Sequence, residues 1–198
     1  MLDGPDGCGK STQAKLLAQW LQELKIEVES FRDPGGTKIG EKIRQILLAP
    51  ENTAMSTRTE LLLYMSARAQ LWAEKIAPAL AQKKCVILDR WLTSTCAYQG
   101  FAGGFGIDKV IKIAEGSLER VWPDLTIILD VDPKVGLSRL NRELDRMEQK
   151  GDGYHQKVRA GFLKLAKGRD NFVVIDASGD IETVHKSVIE VIEQADFA

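Results

Sequence analysis

Nine residues near the start of the chain, Gly4-Pro5-Asp6-Gly7-Cys8-Gly9-Lys10-Ser11-Thr12, carry the spacing G-x-x-x-x-G-K-[ST]. Glycines at the ends and middle of such a run let backbone N–H groups turn inward around phosphate oxygens. The lysine reaches the outer phosphates and the Ser11 hydroxyl can ligate Mg²⁺. A helix opening directly after the run adds the positive end of its dipole. A glycine-rich turn capped by Ser11 would explain the glycines alone, but not the glycines, Lys10 and Ser11 together. The chain is read as a nucleotide-binding protein.

Four further groups could act on the same ligand. Arg32-Asp33-Pro34-Gly35-Gly36-Thr37 follows an alternating strand, and its arginine and paired glycines could set a loop over a phosphate; a plain turn explains Pro-Gly-Gly equally well. Asp89-Arg90-Trp91 closes an apolar run and is followed by Ser94, Thr95, Tyr98, Gln99 and Gly100. An acid there can hold a water of a Mg²⁺ shell, and the adjacent arginine can neutralise a phosphoryl group; a strand-end ion pair is the simpler reading of Asp89 and Arg90. Tyr64 and Arg68 share a helix face one turn apart, suited to a base between ring and guanidinium, although a core tyrosine and a surface arginine fit the same spacing. Arg139, Arg142 and Arg146 recur at i, i+3 and i+7, so a helix would gather them on one side. They are either a solvated basic face or a lid that brings positive charge to a migrating phosphoryl group.

The elements that position these residues follow from hydrophobic periodicity. Leu16, Leu17, Trp20, Leu21 and Leu24 place an amphipathic helix over residues 11–24, and residues 26–31 alternate as a strand. Residues 85–88, 125–129 and 172–175 are continuous apolar runs, each ending at an aspartate: Asp89, Asp130 and Asp176. Such runs, separated by helical stretches, belong to a parallel sheet covered on both faces, with ligands at the strand C-terminal ends. The expected fold is a three-layer α/β/α sandwich of one domain over residues 1–198, with insertions beginning at Arg32 and Arg139 and a loop over residues 100–106. Only Met1-Leu2-Asp3 precede the phosphate loop, so the first strand is expected to be largely missing, and the natural chain to begin several apolar residues upstream.

A net charge of −1 excludes the electrostatic footprint of a nucleic-acid binder. No apolar run reaches the length of a membrane span. Cys8, Cys85 and Cys96 have no metal-ligand spacing and are expected to be reduced thiols of a cytoplasmic protein, Cys8 as a small residue filling the loop. His155 and His185 are expected at the surface.

Taken together, Gly4 to Thr12, R-D-P-G-G-T-K-I-G-E-K-I-R at 32–44, residues 59–70, D-R-W with S-T-x-A-Y-Q-G over 89–100, residues 123–139 and the arginine-bearing insertion resemble the thymidylate kinases. The resemblance covers almost the whole chain. It implies a P-loop kinase with an acceptor-binding insertion over about 32–70 and a lid over about 139–154. It implies ATP-dependent phosphorylation of dTMP with Mg²⁺ on the donor phosphates, and a homodimer. Asp6 then matches the acid on the sugar 3′-hydroxyl, Tyr64 the ring stacked on thymine, and Arg68 the arginine that reaches the base. Arg90 matches the arginine on the acceptor phosphate, with Arg32 and Asp33 in the loop lining it. Thr95 and Gln99 match positions beside the base, and Tyr98 the ring that crowds the sugar 2′ position. Asp33 stands for the commoner glutamate and Trp91 for the commoner tyrosine or histidine. The loop carries no arginine of its own, so the resemblance looks to Arg139, Arg142 or Arg146 for the catalytic one. The alternatives are a kinase for another nucleoside monophosphate, and a nucleotide-binding protein that lacks turnover because its first strand is truncated.

Overall fold

A computed structural model describes residues 1–195. Five parallel strands, β1 (Leu2–Asp3), β2 (Val28–Arg32), β3 (Cys85–Asp89), β4 (Thr126–Asp130) and β5 (Phe172–Asp176), lie in the order β2-β3-β1-β4-β5. The helices are α1 (Lys10–Glu23), α2 (Lys38–Leu48), α3 (Thr57–Leu71), α4 (Ala77–Ala81), α5 (Leu92–Thr95), α6 (Ile107–Glu115), α7 (Pro133–Ser138), α8 (Asp152–Ala166) and α9 (Ile181–Gln194). Wider π turns extend α3 through Trp72–Ile76 and α5 through Cys96–Ala102.

The period of two along the strands sorts the core into two layers. Ile87, Ile127, Leu129 and Ile175 pack with Leu17 and Leu21 of α1 and with Val184 and Val188 of α9. Leu88, Ile128 and Phe172 face the other way, toward Leu61 and Met65 of α3, Val110 of α6 and Phe162 of α8. Side chains thus leave both faces of each inner strand for a dry layer, which is why these segments read as unbroken apolar runs.

The first strand has two residues, yet it pairs on both sides. Leu2 lies opposite Asp89 and Ile127, and Asp3 opposite Ile128. The Arg90 amide donates to Leu2 O at 3.0 Å and the Ile127 amide to Met1 O at 2.9 Å. The stub sets the phosphate loop at the centre of the sheet, directly beside the end of β3.

Three local expectations are corrected. Residues 139–151 form turns after the short α7, not a helix carrying three arginines on one side. Asp145 uses its carboxylate to accept from the amides of Met147 and Glu148, so short-range side-chain bonds replace a helical ladder there. Gly100 to Ala102, expected as loop, lie inside the π turn. The face of α1 is also narrower than its leucines suggest: Ala14, Leu17 and Leu21 are buried, but Leu24 is 54% exposed.

Candidate active site

A cleft of about 750 Å³ opens above the C-terminal ends of β1, β2 and β3. Its floor is the phosphate loop. Gly4, Gly7 and Gly9 adopt φ of 142°, 71° and 97°, a region that favours glycine. At Gly7 the requirement is also steric, because a Cβ would lie 1.8 Å from the carbonyl oxygen of Gly136 in α7. The loop is therefore clamped against the helix that leads into residues 139–151.

Lys10 is the first residue of α1 and is 7% exposed, more enclosed than its place in a loop motif suggests. Its ammonium donates to the carbonyls of Pro5 at 2.7 Å and Gly4 at 3.2 Å. Buried Cys8 fills the space beneath, with Sγ 3.4 Å from Lys10 Nζ. Ser11 Oγ donates to Asp89 Oδ2 at 2.5 Å, bringing an exposed hydroxyl and a strand-end carboxylate together beside the loop. An oxygen-only pair of this kind suits a hard cation such as Mg²⁺. Of the four strand-end aspartates, Asp3, Asp89, Asp130 and Asp176, Asp89 alone lines the cleft. Asp130 is held by both arms of Arg159 at 2.8 Å, and Asp176 accepts from the Ser178 amide.

Arg90 organises the next part of the site. It adopts φ 71°, uncommon outside glycine and the kind of backbone held at functional positions. From there Nη2 reaches Asp6 Oδ1 at 2.5 Å, while Nη1 donates to Ser94 Oγ at 2.9 Å, Gly4 O at 3.1 Å and Asp3 Oδ1 at 3.4 Å. Tyr98 donates its hydroxyl to the other Asp6 oxygen at 2.7 Å. Burial pushes the Asp6 carboxyl upward, but Arg90, Lys10 and the Tyr98 hydroxyl outweigh it and hold it below the ordinary carboxylate range. Burial, then the Asp6 charge, drives the Tyr98 hydroxyl in the other direction, well above its ordinary value.

Asp3 was missed by sequence reading. It is fully buried and accepts from the Gly4 amide, the Ser94 amide and the Ser94 hydroxyl, tying the loop to the start of α5. An aspartate immediately before a phosphate loop, inside an otherwise apolar stub, was the available signal.

The side of the cleft between the end of β2 and α3 is built around a buried ion pair. Arg68 is 1% exposed, not a surface residue, and its Nε donates to Asp33 Oδ2 at 2.7 Å. Its Nη2 donates to Thr95 Oγ1 at 2.9 Å and to Trp91 O at 3.2 Å, and its guanidinium lies over the Trp91 ring. Asp33 Oδ1 has no hydrogen-bond partner among the described residues, and burial pushes this carboxyl up despite Arg68. Tyr64, Gln99 and the half-exposed Arg32 also line the cleft, the last paired with Glu41 at 3.2 Å. Arg44 does so too: it was inside the quoted motif yet not singled out, and it donates to Pro34 O at 3.0 Å.

The three arginines of the 139–151 segment part company. Arg139 lines the cleft and donates to Ala177 O and Ser178 O at 3.0 Å each, beyond the end of β5. Arg142 is half-exposed and grips Glu148 with both arms, at 2.6 and 2.7 Å. Arg146 does not line the cleft: it is buried, paired with Glu60 at 2.5 Å, and donates to Leu47 O at 2.8 Å. Its place among the candidate catalytic arginines is corrected to a buried strut. His155 is likewise buried, its Nε2 3.2 Å from Glu148 O, where the surface was expected; His185 is partly buried beside Gln13 Oε1 at 3.1 Å.

This geometry can be set beside known proteins. The family model for thymidylate kinase matches residues 2–188. A thymidylate kinase of Lactobacillus acidophilus is 45% identical over 198 aligned positions, covering 97% of this chain and 92% of the relative. One from Geobacillus sp. strain WCH70 is 44% identical, covering 94% and 91%. The crystal structure of thymidylate kinase from Ehrlichia chaffeensis superposes with a TM-score of 0.80 at 33% identity, covering 98% of this chain and 96% of that one. With the phosphate loop, the strand-end Asp89-Arg90 pair and the acceptor cleft all in one sheet-top site, the chain belongs to the thymidylate kinase family.

Proposed function

We propose that the chain transfers the γ-phosphoryl group of ATP to dTMP, giving ADP and dTDP for nucleotide biosynthesis. The observation that carries this reading is the Asp6–Arg90–Tyr98 cluster, which joins the phosphate loop to the acceptor cleft. Phosphoryl transfer needs positioning and charge neutralisation, with no covalent intermediate on the protein.

The donor phosphates lie in the loop of residues 4–12 against Lys10, which exchanges its carbonyl partners for phosphate oxygens. Arg90 holds the acceptor phosphate and Asp6 the sugar 3′-hydroxyl. Tyr98 fills the space a ribose 2′-hydroxyl would need. Tyr64 stacks on thymine, Arg68 and Gln99 meet its polar edge, and Thr95 fixes Arg68. Arg32 and Asp33 line the acceptor loop. Ser11 and Asp89, the latter through a water, would hold Mg²⁺, which supplies charge neutralisation on the donor phosphates when bound. Arg142, half-exposed on a turn and lining the cleft, exchanges Glu148 for the migrating group, with Arg139 as its neighbour at the donor end. Closure of residues 139–154 would keep water out.

A homodimer is part of the proposal. α2 and α3 leave Ile39, Ile46 and Leu62 about half-exposed, apolar area that a second copy would cover. Sedimentation should give twice the chain mass. No helix among the described residues is long and apolar enough to cross a membrane, and three free cysteines agree with a reducing, cytoplasmic setting. Initial rates of ADP release with dTMP, dUMP and dCMP side by side test the acceptor. dTMP should be the best, and equal rates with all three would reject it.

A further inference from the structure

Glu60 lies in α3 one turn before Tyr64 and is 3% exposed. Its Oε1 accepts from Gln99 Nε2 at 2.7 Å and its Oε2 pairs with Arg146 at 2.5 Å. Both partners are themselves buried, Gln99 at 1% exposure and Arg146 at 8%. A carboxylate oxygen in this place can only accept, so the amide of Gln99 must turn its NH₂ toward Glu60. That fixes the opposite end of the amide as a carbonyl, and no hydrogen bond within the protein reaches Gln99 Oε1 among the described residues. Gln99 lines the cleft on the side of Tyr64 and Arg68.

We propose that Glu60 is a positioning residue that sets pyrimidine specificity, by locking Gln99 with its carbonyl oxygen toward the base. The reading rests on the acceptor site proposed above. A carbonyl oxygen at that position accepts from the N3–H of thymine or uracil. Against cytosine it meets the N3 lone pair, and an acceptor facing an acceptor in a desolvated site is strongly disfavoured. Arg146 belongs to the same device: its Nη2 lies against the Glu60 oxygen that does not face Gln99, in ion-pair contact without hydrogen-bond geometry, and so holds the carboxylate by charge without competing for the other oxygen.

Glu60→Gln is the informative variant because it keeps the shape and changes the donor pattern. Its amide oxygen must face Arg146, so its NH₂ faces residue 99. Gln99 then has to rotate and offer its own oxygen, which turns its NH₂ into the cleft. Dissociation constants for dTMP and dCMP are measured by calorimetry on the full chain, so that neither needs to turn over. The wild type should prefer dTMP, and E60Q should lower the ratio by at least about tenfold, Arg68 retaining part of the preference. A purely structural role for Glu60 would weaken both nucleotides alike and leave the ratio unchanged, which overturns the proposal. Gln99→Leu separates the two layers of the argument and serves if E60Q does not fold. If Q99L collapses the ratio, the amide is the reader of the base. If Q99L collapses it while folded E60Q preserves it, Gln99 reads the base without Glu60 and the inference fails alone. If Q99L preserves the ratio, the placement of Gln99 beside the base fails and the inference with it.

Discussion

The Tyr98 hydroxyl donates to Asp6 Oδ2 at 2.7 Å, joining residues 92 positions apart in the chain. The ring and the hydroxyl of Tyr98 therefore have separable tasks. Tyr98→Phe keeps the ring and removes a bond to a carboxylate, a loss of about 1.5–3 kcal/mol. The KM for dTMP should rise about tenfold or more, with the preference for deoxyribose over ribose unchanged. Tyr98→Ala should relax that preference, read as the ratio of kcat/KM for dTMP and its ribose counterpart. Equal ratios in all three proteins would move the sugar filter elsewhere.

Asp6 also links the site to acid stability. Its carboxyl is held below the ordinary range, so its contribution to folding is complete above the unfolded value of about 3.9 and fades as pH falls through the lower folded value. Wild type should exceed Asp6→Asn in unfolding free energy at pH 6, with the difference shrinking below about pH 4. Urea denaturation across that range checks it; a difference independent of pH would contradict the assigned charge.

Lys10→Ala should lower kcat by about 10²–10³ with a small change in melting temperature, since the ammonium holds two loop carbonyls as well as serving phosphate. Near-normal turnover in a folded variant would remove the loop lysine from the mechanism.

Among the arginines of residues 139–151 the structure separates energetic roles. Arg146→Ala leaves Glu60 buried without its cation and should destabilise by about 3–5 kcal/mol. Arg142→Ala leaves the buried Glu148 with the Asp145 amide as a remaining partner and should destabilise less than Arg146→Ala, while turnover falls on the order of 10³. Melting curves and kcat on both variants decide it, and the reverse pattern would return the catalytic role to Arg146.

Gly136 is the counterpart of Gly7: a Cβ on it would lie 2.2 Å from Asp6 O. Gly136→Ala must move the phosphate loop, and overpacking of this kind typically costs about 1–3 kcal/mol. Because the displaced residue is Asp6, kcat/KM should fall for dTMP as well as for ATP. An effect on ATP alone would show that the loop yields without moving Asp6.

What could be read from the sequence was local. The phosphate loop, the apolar strands and the Asp89-Arg90 step each declare themselves within a dozen residues, because spacing and backbone requirements are encoded there. What could not be read was pairing at a distance. Arg68 meets Asp33 from 35 residues away, and Arg146 meets Leu47 from 99. Periodicity alone left the first open between a base site and the surface, and the second between a solvated helix face and a lid. The helix itself failed because Asp145 bonds nearby amides, a competition that an i, i+3, i+7 count does not register. His155 shows the same limit: a polar side chain is placed at the surface until the carbonyl that satisfies it is known.

Incubating the purified chain with γ-labelled ATP, Mg²⁺ and dTMP, and resolving the products, tests the central claim most directly. Label should appear in dTDP in step with ADP release, and Lys10→Ala should slow both by the same factor of about 10²–10³. ADP formed without labelled dTDP, or label passing to another nucleoside monophosphate and not to dTMP, would contradict the account.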